Sequence, residues 1–433
     1  MRVLAVGPRV YLGDIYLSLM REGHEVRVHA EDPPTECAFG GLIQPVPDWR
    51  AELGWVGRDG VVLFERANRG PVADALRAEG HRVIGGSAFG DRLENDRGFG
   101  QAVLREIGLP MAGSHAFADP GAALDWLAAH PGRHVLKFDD SHLPTFVGEH
   151  PRGADLAFML RRAMRRGATG GVLLQERLDG VEVGVGAYFD GRRFLRPACI
   201  DFEHKRFFPG ELGEMTGEMG TLASYEGAER LFEATLGRVA PLLAAAGHVG
   251  YVNLNLMVDE RGPLPLEFTC RFGNPGFAVL AAMQRDGWGD LFRRMAEGGS
   301  EAFTTTPGWS VAIVLTVPPF PAVDPVAAPE DDVPLFFLEE PRGEELRHYH
   351  LVDARRDTEG QLLVRRRSGH AMIVTGNGPD VGPARDAACA RARNVVAPEL
   401  RWRADIGERF LQGEAERLAA LGWLDRARAP RHP

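Results

Sequence analysis

The residues best suited to chemistry lie between Gly250 and Gly276, in the stretch GYVNLNLMVDERGPLPLEFTCRFGNPG. Two strand-like runs flank Asp259-Glu260-Arg261-Gly262, which predicts a hairpin. Alternation puts Asn253, Asn255 and Met257 on one face of the first strand. It puts Glu267, Thr269 and Arg271 on one face of the second. A half-buried strand alternates by default, so a solvated face with an incidental ion pair meets the pattern equally well. Two Asn on one strand with a Glu, a Thr and an Arg on its partner is the unusual part. Oxygen ligands on a rigid hairpin suit Mg²⁺, which takes one or two carboxylates and completes its shell with substrate phosphates.

The elements that must position this hairpin read as α/β. Residues 2–7 (RVLAVG) predict a buried strand, 11–22 a helix and 25–28 a second strand, a β-α-β opening. The turn Gly7-Pro8-Arg9 precedes a helix, a place that can hold a phosphate, but it is not a G-x-G-x-x-G. Residues 91–108 predict a helix weakened at Gly98 and Gly100. His134-Val135-Leu136-Lys137-Phe138 predicts a strand bearing one Lys, a residue rarely buried without a partner. A strand over 171–176 leads into Leu174-Gln175-Glu176-Arg177-Leu178-Asp179-Gly180-Val181-Glu182-Val183. Asp190-Gly191-Arg192 is a hairpin turn. Residues 213–221 (GEMTGEMGT) beside Glu203-His204-Lys205-Arg206 read as an exposed Gly-rich loop near a basic cluster, unusual for a mere connector. Helices are predicted over 229–246, 278–297 and 382–396, with a Pro- and acid-rich insertion at 321–345.

A chain of 433 residues exceeds one ordinary core, so two to four domains are expected. A formal charge of −10 argues against a nucleic-acid partner, and the clusters Arg161-Arg162, Arg165-Arg166 and Arg365-Arg366-Arg367 read as solvated faces. The sequence has no long apolar run or signal-peptide pattern, and Cys37, Cys199, Cys270 and Cys389 show no metal spacing. These features predict a cytoplasmic protein without membrane association; a monomer or homodimer is expected, though nothing in the composition sets the oligomeric state.

Leu266-Glu267-Phe268-Thr269-Cys270-Arg271-Phe272-Gly273-Asn274-Pro275 resembles the E-F-N-C-R-F-G-D-P signature of the phosphoribosylamine–glycine ligases, which are ATP-grasp enzymes. The resemblance extends in patches over nearly the whole chain. It implies an ATP-grasp fold with a Rossmann-like domain (1–112), a small lid subdomain (113–181), a large catalytic subdomain (182–308) and a small α+β C-terminal domain (309–427). It implies ATP and Mg²⁺ (or Mn²⁺) as cofactors, with small-molecule carboxylate and amine substrates joined through an acylphosphate. Glu267 and Asn255, assisted by Thr269, are then the metal ligands. Arg97 and Lys137 address phosphates, Gln175, Glu176 and Leu178 face the adenine, and Glu182 holds the ribose. Lys205 offsets phosphoryl charge and Arg271 clamps the substrate carboxylate, with an ion pair to Glu267 as the competing role. Gly7, Arg9, Thr216, Gly217, Met219, Gly220, Asn274 and Pro275 line the substrate site. The sequence departs from the family at 139–148, where a Gly-rich lid is replaced by acids and a Pro, at Thr269, at Glu203 and Glu218, which replace non-acidic residues, and in the thinned amino-terminal turn. A ligase joining a different acid and amine, and a nucleotide-binding homologue without catalysis, are the alternatives.

Overall fold

A computed structural model describes residues 1–31, 38–43, 45–138, 145–321, 332–365 and 368–425. The chain divides into two compact units. The larger contains residues 1–103, 182–256 and 266–433, and the smaller contains 104–181 with 257–265.

The larger unit opens on a parallel four-stranded sheet, ordered Glu25–Ala30, Arg2–Gly7, Val61–Phe64, Arg82–Ile84. Val61–Phe64 is buried at every position, as an apolar run covered on both faces must be. Its main sheet has eight strands, in the order Gly262–Thr269, Val249–Asp259, Val181–Asp190, Cys199–Phe208, Leu212–Ser224, Trp309–Thr316, His370–Gly378 and Tyr349–Leu351. Helix Val381–Asn394 packs on this sheet. The hairpin at Asp259–Gly262 is present, and Asp259 accepts the Arg261 N–H at 2.8 Å. The first hairpin strand is not half-solvated: all its residues except Met257 are buried. Both of its neighbours are strands, and its two faces are covered.

The smaller unit is a four-stranded antiparallel sheet, ordered Ser114–Phe117, Val172–Glu176, His134–Phe138, Phe146–Val147. Helices Pro120–Ala129 and Ala154–Arg165 pack together beside it. Leu127, Leu136, Leu156, Leu160 and Leu174 form its core. Asp119 starts the first helix by accepting N–H groups from Gly121 and Ala122, satisfying two of its orphan donors.

Several expectations are corrected. The expected boundary near 308 is crossed by the main sheet: Trp309–Thr316 pairs with Leu212–Ser224 on one side and His370–Gly378 on the other. Those hydrogen bonds join the expected third and fourth segments, and residues 1–103 belong to the same unit. The helix expected over 91–108 is two, Ala88–Asn95 and Arg97–Glu106, broken at Asp96. The helix expected over 229–246 is broken at Thr235, where the chain leaves helical geometry. The helix expected over 278–297 is also two, Gly276–Ala281 and Trp288–Glu297. Arg365 is buried rather than solvated, while Arg161, Arg162, Arg165 and Arg166 are exposed. Residues 139–144 of the expected lid, 322–331 of the expected insertion, and Arg366 and Arg367 lie outside the described residues. Among the described residues, no helix is long and apolar enough to cross a membrane.

Candidate active site

The expected loop at 213–221 is part of a strand, Leu212–Ser224, paired with Cys199–Phe208. Pairing is regular from Ile200↔Ser224 to His204↔Gly220 and resumes at Arg206↔Met215. One residue, Lys205, therefore stands opposite the four-residue excursion Thr216–Met219, a wide bulge that re-aims side chains. Thr216 fastens it by donating its hydroxyl to the Lys205 carbonyl at 2.8 Å. Gly217 and Glu218 consequently face a cavity, whereas Met219 turns inward. Met219 is fully buried with Phe207 and Phe320, and a side chain at Gly220 would strike the Ala312 carbonyl and Ile406. These two expected substrate residues are core, because a Gly-Met pattern serves close strand packing as readily as an exposed loop.

The cavity measures about 220 Å³. Its wall includes Asp201, Glu203 and Lys205 from one strand, Asn253 and Asn255 from a second, and Glu267 and Thr269 from the hairpin's return. The period-two spacing of Asp201, Glu203 and Lys205 puts all three on one face. Lys205 Nζ lies 2.9 Å from Glu182, 3.0 Å from Glu203 and 3.9 Å from Glu267. Burial alone lowers its pKa, but the charges of Glu203, Glu182 and Glu267 outweigh this and hold it above the ordinary lysine value. Asn255 donates to Glu203 at 3.4 Å, and Asn253 donates to Asp201 at 2.7 Å. Gly184 makes room for Asp201, since a Cβ there would lie 2.2 Å from its carboxylate. Burial, with the Glu203 charge, pushes Asp201 up to about 7 against the pull of the Asn253 hydrogen bond. Burial and the same Glu203 charge hold Glu218 well above the usual carboxylate range.

Asn255, Glu267 and Thr269 all line this cavity. They offer an amide oxygen, a carboxylate and a hydroxyl, and Glu267 is half-exposed. Among the described residues no cluster of three or more His, Cys, Asp or Glu forms a preassembled metal cage. A hard-oxygen set with one carboxylate fits Mg²⁺ that takes its remaining oxygens from phosphates and water. Glu182, expected at a ribose, pairs with Lys205. Arg271 also lines the cavity, but its partner is Glu94 at 3.0 Å rather than Glu267. Glu94 also accepts the Cys270 N–H at 2.8 Å, so one carboxylate fixes both the arginine and its backbone.

A second cavity of about 290 Å³ shares Gly217, Glu218, Arg271 and Asn274 with the first. Arg9, Glu65, Arg66, Pro275, Asp353, Ser368 and His370 are among its other walls. Gly7 backs directly onto Glu65, whose carboxylate a Cβ on Gly7 would overlap at 1.7 Å. Arg97 opens its helix and lines neither cavity.

Four expected nucleotide residues belong to the smaller unit. Lys137 is buried on the strand His134–Phe138, whose neighbour carries Gln175, also buried. Leu178 is buried, and Glu176 pairs with Arg261 at 3.1 Å. His204 is structural: it is buried and accepts the Gly407 N–H at 3.1 Å. The acids at 201, 203 and 218 were legible as residues but not as one cluster. Alternation puts Asp201 and Glu203 on one face, and the bulge opposite Lys205 brings Glu218 to them.

A family model described as phosphoribosylglycinamide synthetase, ATP-grasp (A) domain, matches residues 95–277. The chain is 26% identical over 373 residues to a phosphoribosylamine–glycine ligase of Streptomyces coelicolor, covering 83% of this chain and 86% of the relative. It is 29% identical over 360 residues to the Phenylobacterium zucineum ligase of that name, covering 78% and 81%. The crystal structure of phosphoribosylamine–glycine ligase from Thermotoga maritima superposes with a TM-score of 0.71 at 20% identity, over 94% of this chain and 100% of that one. The fold is ATP-grasp. A Campylobacter jejuni biotin carboxylase complex shares it at a TM-score of 0.62 and 11% identity, over 96% of both chains. The chain thus resembles the phosphoribosylamine–glycine ligases in sequence, and its fold is one that ligases of differing names share.

Proposed function

We propose that this chain is an ATP-dependent carboxylate–amine ligase of the phosphoribosylamine–glycine ligase type. The observation that carries the reading is the face holding Asn255, Glu267 and Thr269 beside Lys205, within a fold shared with ATP-using ligases. In such a reaction a carboxylate attacks the γ-phosphate of ATP, giving an acylphosphate and ADP. The amine then attacks the acyl carbon and orthophosphate leaves. The protein contributes positioning and charge stabilisation more than covalent chemistry.

In this reading Glu267 and Asn255, with Thr269, would hold Mg²⁺ or Mn²⁺, which when bound neutralises and orients the phosphates. Lys205 offsets charge that develops on the transferring phosphoryl group, and Glu203 and Glu182 keep its ammonium aimed. Arg271 orients the substrate carboxylate through its planar fork, one edge of which Glu94 already fixes. Lys137, Gln175, Glu176 and Leu178 are assigned to the nucleotide and Glu182 to its ribose on the family resemblance. Arg97, which lines neither cavity, is assigned to the phosphates on the family resemblance alone.

The test is stoichiometric. Purified protein with Mg-ATP is offered a panel of amino acids and amines that includes glycine with phosphoribosylamine. ADP and orthophosphate are expected in equal amounts, in quantity only when both an acid and an amine are present. Equal hydrolysis of ATP with and without the two substrates would refute ligation.

A further inference from the structure

Lys205 sits where its strand has the least ladder to hold it. The register with Val181–Asp190 runs from Cys199↔Gly186 to Asp201↔Gly184 and, among the described residues, stops there. On the other side the bulge opens between His204 and Arg206. Backbone that leaves a ladder needs other donors for its carbonyls. The stretch 403–409, from the far end of the chain, supplies them. Arg409 donates to the Glu203 carbonyl at 2.7 Å, and Arg403 donates to the Arg206 carbonyl at 2.8 Å. Between them the Gly407 N–H reaches the His204 ring at 3.1 Å. The Lys205 carbonyl itself accepts the Thr216 hydroxyl. Each residue from 203 to 206 is thus tied by a group outside the ladder, and all but one of the ties come from this stretch.

The stretch is itself rooted in the core. Ile406 and Phe410 are fully buried, and the Phe410 ring lies 4.8 Å from Phe202 and 4.7 Å from Trp309. Arg403 is buried with carboxylates of its own, Asp405 at 2.8 Å and Glu211 at 2.7 Å, which offset the cost of burying its charge. Arg409 is placed differently. Its ion pairs with Glu211 and Glu414 are both 3.7 Å long, beyond hydrogen-bond reach. Among the described residues its short contact is the Glu203 carbonyl.

We infer that Arg409 is a positioning residue for Lys205. It fixes the backbone of Glu203, whose carboxylate lies 3.0 Å from the Lys205 ammonium and aims it. Gly407 and Arg403 hold the residues on either side of the lysine, so the carboxy-terminal stretch completes a site whose other walls come from the main sheet. The planar guanidinium suits this task, since it presents fixed donors from a well-packed base. The inference rests on the ligase reading for what Lys205 does, but not for how Lys205 is held.

The composition makes the test clean. Two of the 50 basic residues are lysines, Lys137 and Lys205, so lysine labelled with ¹³C at Cε gives two side-chain NMR signals, which Lys205→Met assigns. The full chain is compared as wild type, Arg409→Gln, Arg409→Lys and Arg230→Ala. Arg230 serves as the control: it holds the carboxy-terminal end through the Gly422 carbonyl and the Trp423 ring, away from the strand of Lys205. Arg409→Gln is expected to move the Lys205 signal toward that of an exposed lysine and to leave Lys137 in place. It should lower kcat for ADP release about tenfold, with the KM for ATP within about twofold of wild type. Arg409→Lys keeps the cation and should hold kcat within about threefold, with a smaller shift of the same sign. It carries the test if Arg409→Gln does not fold. Arg230→Ala should change neither signal nor kcat. A Lys205 signal unmoved in the folded Arg409 variants overturns the inference. So does an equal shift in Arg230→Ala, because the tail would then act through general stability alone. A raised KM for ATP with kcat unchanged in Arg409→Gln overturns it too. If wild type releases no ADP with any acid and amine pair, the ligase reading falls, and the Lys205 signal alone then decides the positioning.

Discussion

Carboxylates at two places in the larger unit are put to opposite uses. Glu65 has a donor for each oxygen: two backbone N–H groups and a phenol. From just beyond strand Val61–Phe64, it closes the turn that precedes helix Gly13–Arg21. At the hairpin cavity, Asp201, Glu203, Glu218 and Glu267 share few donors, and Lys205 is the cation in their midst. A carboxylate whose oxygens are all paired stabilises the fold. Burial raises Glu65 as it does Asp201 and Glu218, but at the cavity the Glu203 charge adds to it, a pattern typical of functional sites. Burial alone does not separate the two regions. The number of donors does.

The comparison breaks first at Lys205. Lys205→Met removes the cation from among Glu182, Glu203 and Glu267, and ADP formation is expected to fall more than about 100-fold. A loss below about tenfold would mean that the ammonium is structural. The opposite region answers in stability instead. Glu65→Ala strips the partners from two amide groups and the Tyr16 hydroxyl, and is expected to cost about 3 kcal/mol in urea unfolding. Substitution of Gly7 by Ala should act in the same direction, since the new methyl would meet that carboxylate.

Asp201 should behave in the reverse sense. Its folded-state pKa is raised to about 7 by burial and by Glu203, above the ordinary value near 3.9. The folded state therefore binds this proton more tightly than the unfolded chain does. The corresponding stability is fully present below about pH 4 and is lost as pH rises through about 7. Asp201→Asn removes that loss. It should raise stability at pH 8 by on the order of 2 kcal/mol while leaving pH 4 little changed. A variant less stable than wild type at pH 8 would show that Asp201 resembles Glu65 after all. The smallest effect is expected at Glu94. Glu94→Gln loosens Arg271 and should raise the KM of the carboxylate substrate about fivefold, with kcat nearly unchanged.

Much of the site was legible because a strand has a period of two. Asn255, Glu267 and Thr269 share a wall as alternation requires, and the turns at Asp190 and Asp259 stand where Gly and Asp place them. The break at Thr235 was not legible, since apolar residues at 231, 232, 236 and 239 carry the helical spacing through it, whereas the weakness expected at Gly98 and Gly100 lies just past the break at Asp96. Met219 and Gly220 were misplaced for a related reason. A bulged strand has no composition of its own, and its excursion is fixed by a partner strand rather than by local sequence. Glu65 escaped notice because its donors lie 49 to 54 residues away and no local motif announces them. Likewise Glu94, which takes Arg271, lies 177 residues from it.

The most direct measurement is ADP release from Mg-ATP, with the best acid and amine pair, in wild type and Glu267→Ala. Glu267 is half-exposed and, among the described residues, its ion pair is the 3.9 Å one with Lys205, so its loss should leave the unfolding transition nearly unmoved. The account predicts a folded variant with ADP release reduced to background at ordinary Mg²⁺. A folded Glu267→Ala protein that turns over at the wild-type rate would contradict the assignment of this face to the metal and the nucleotide phosphates.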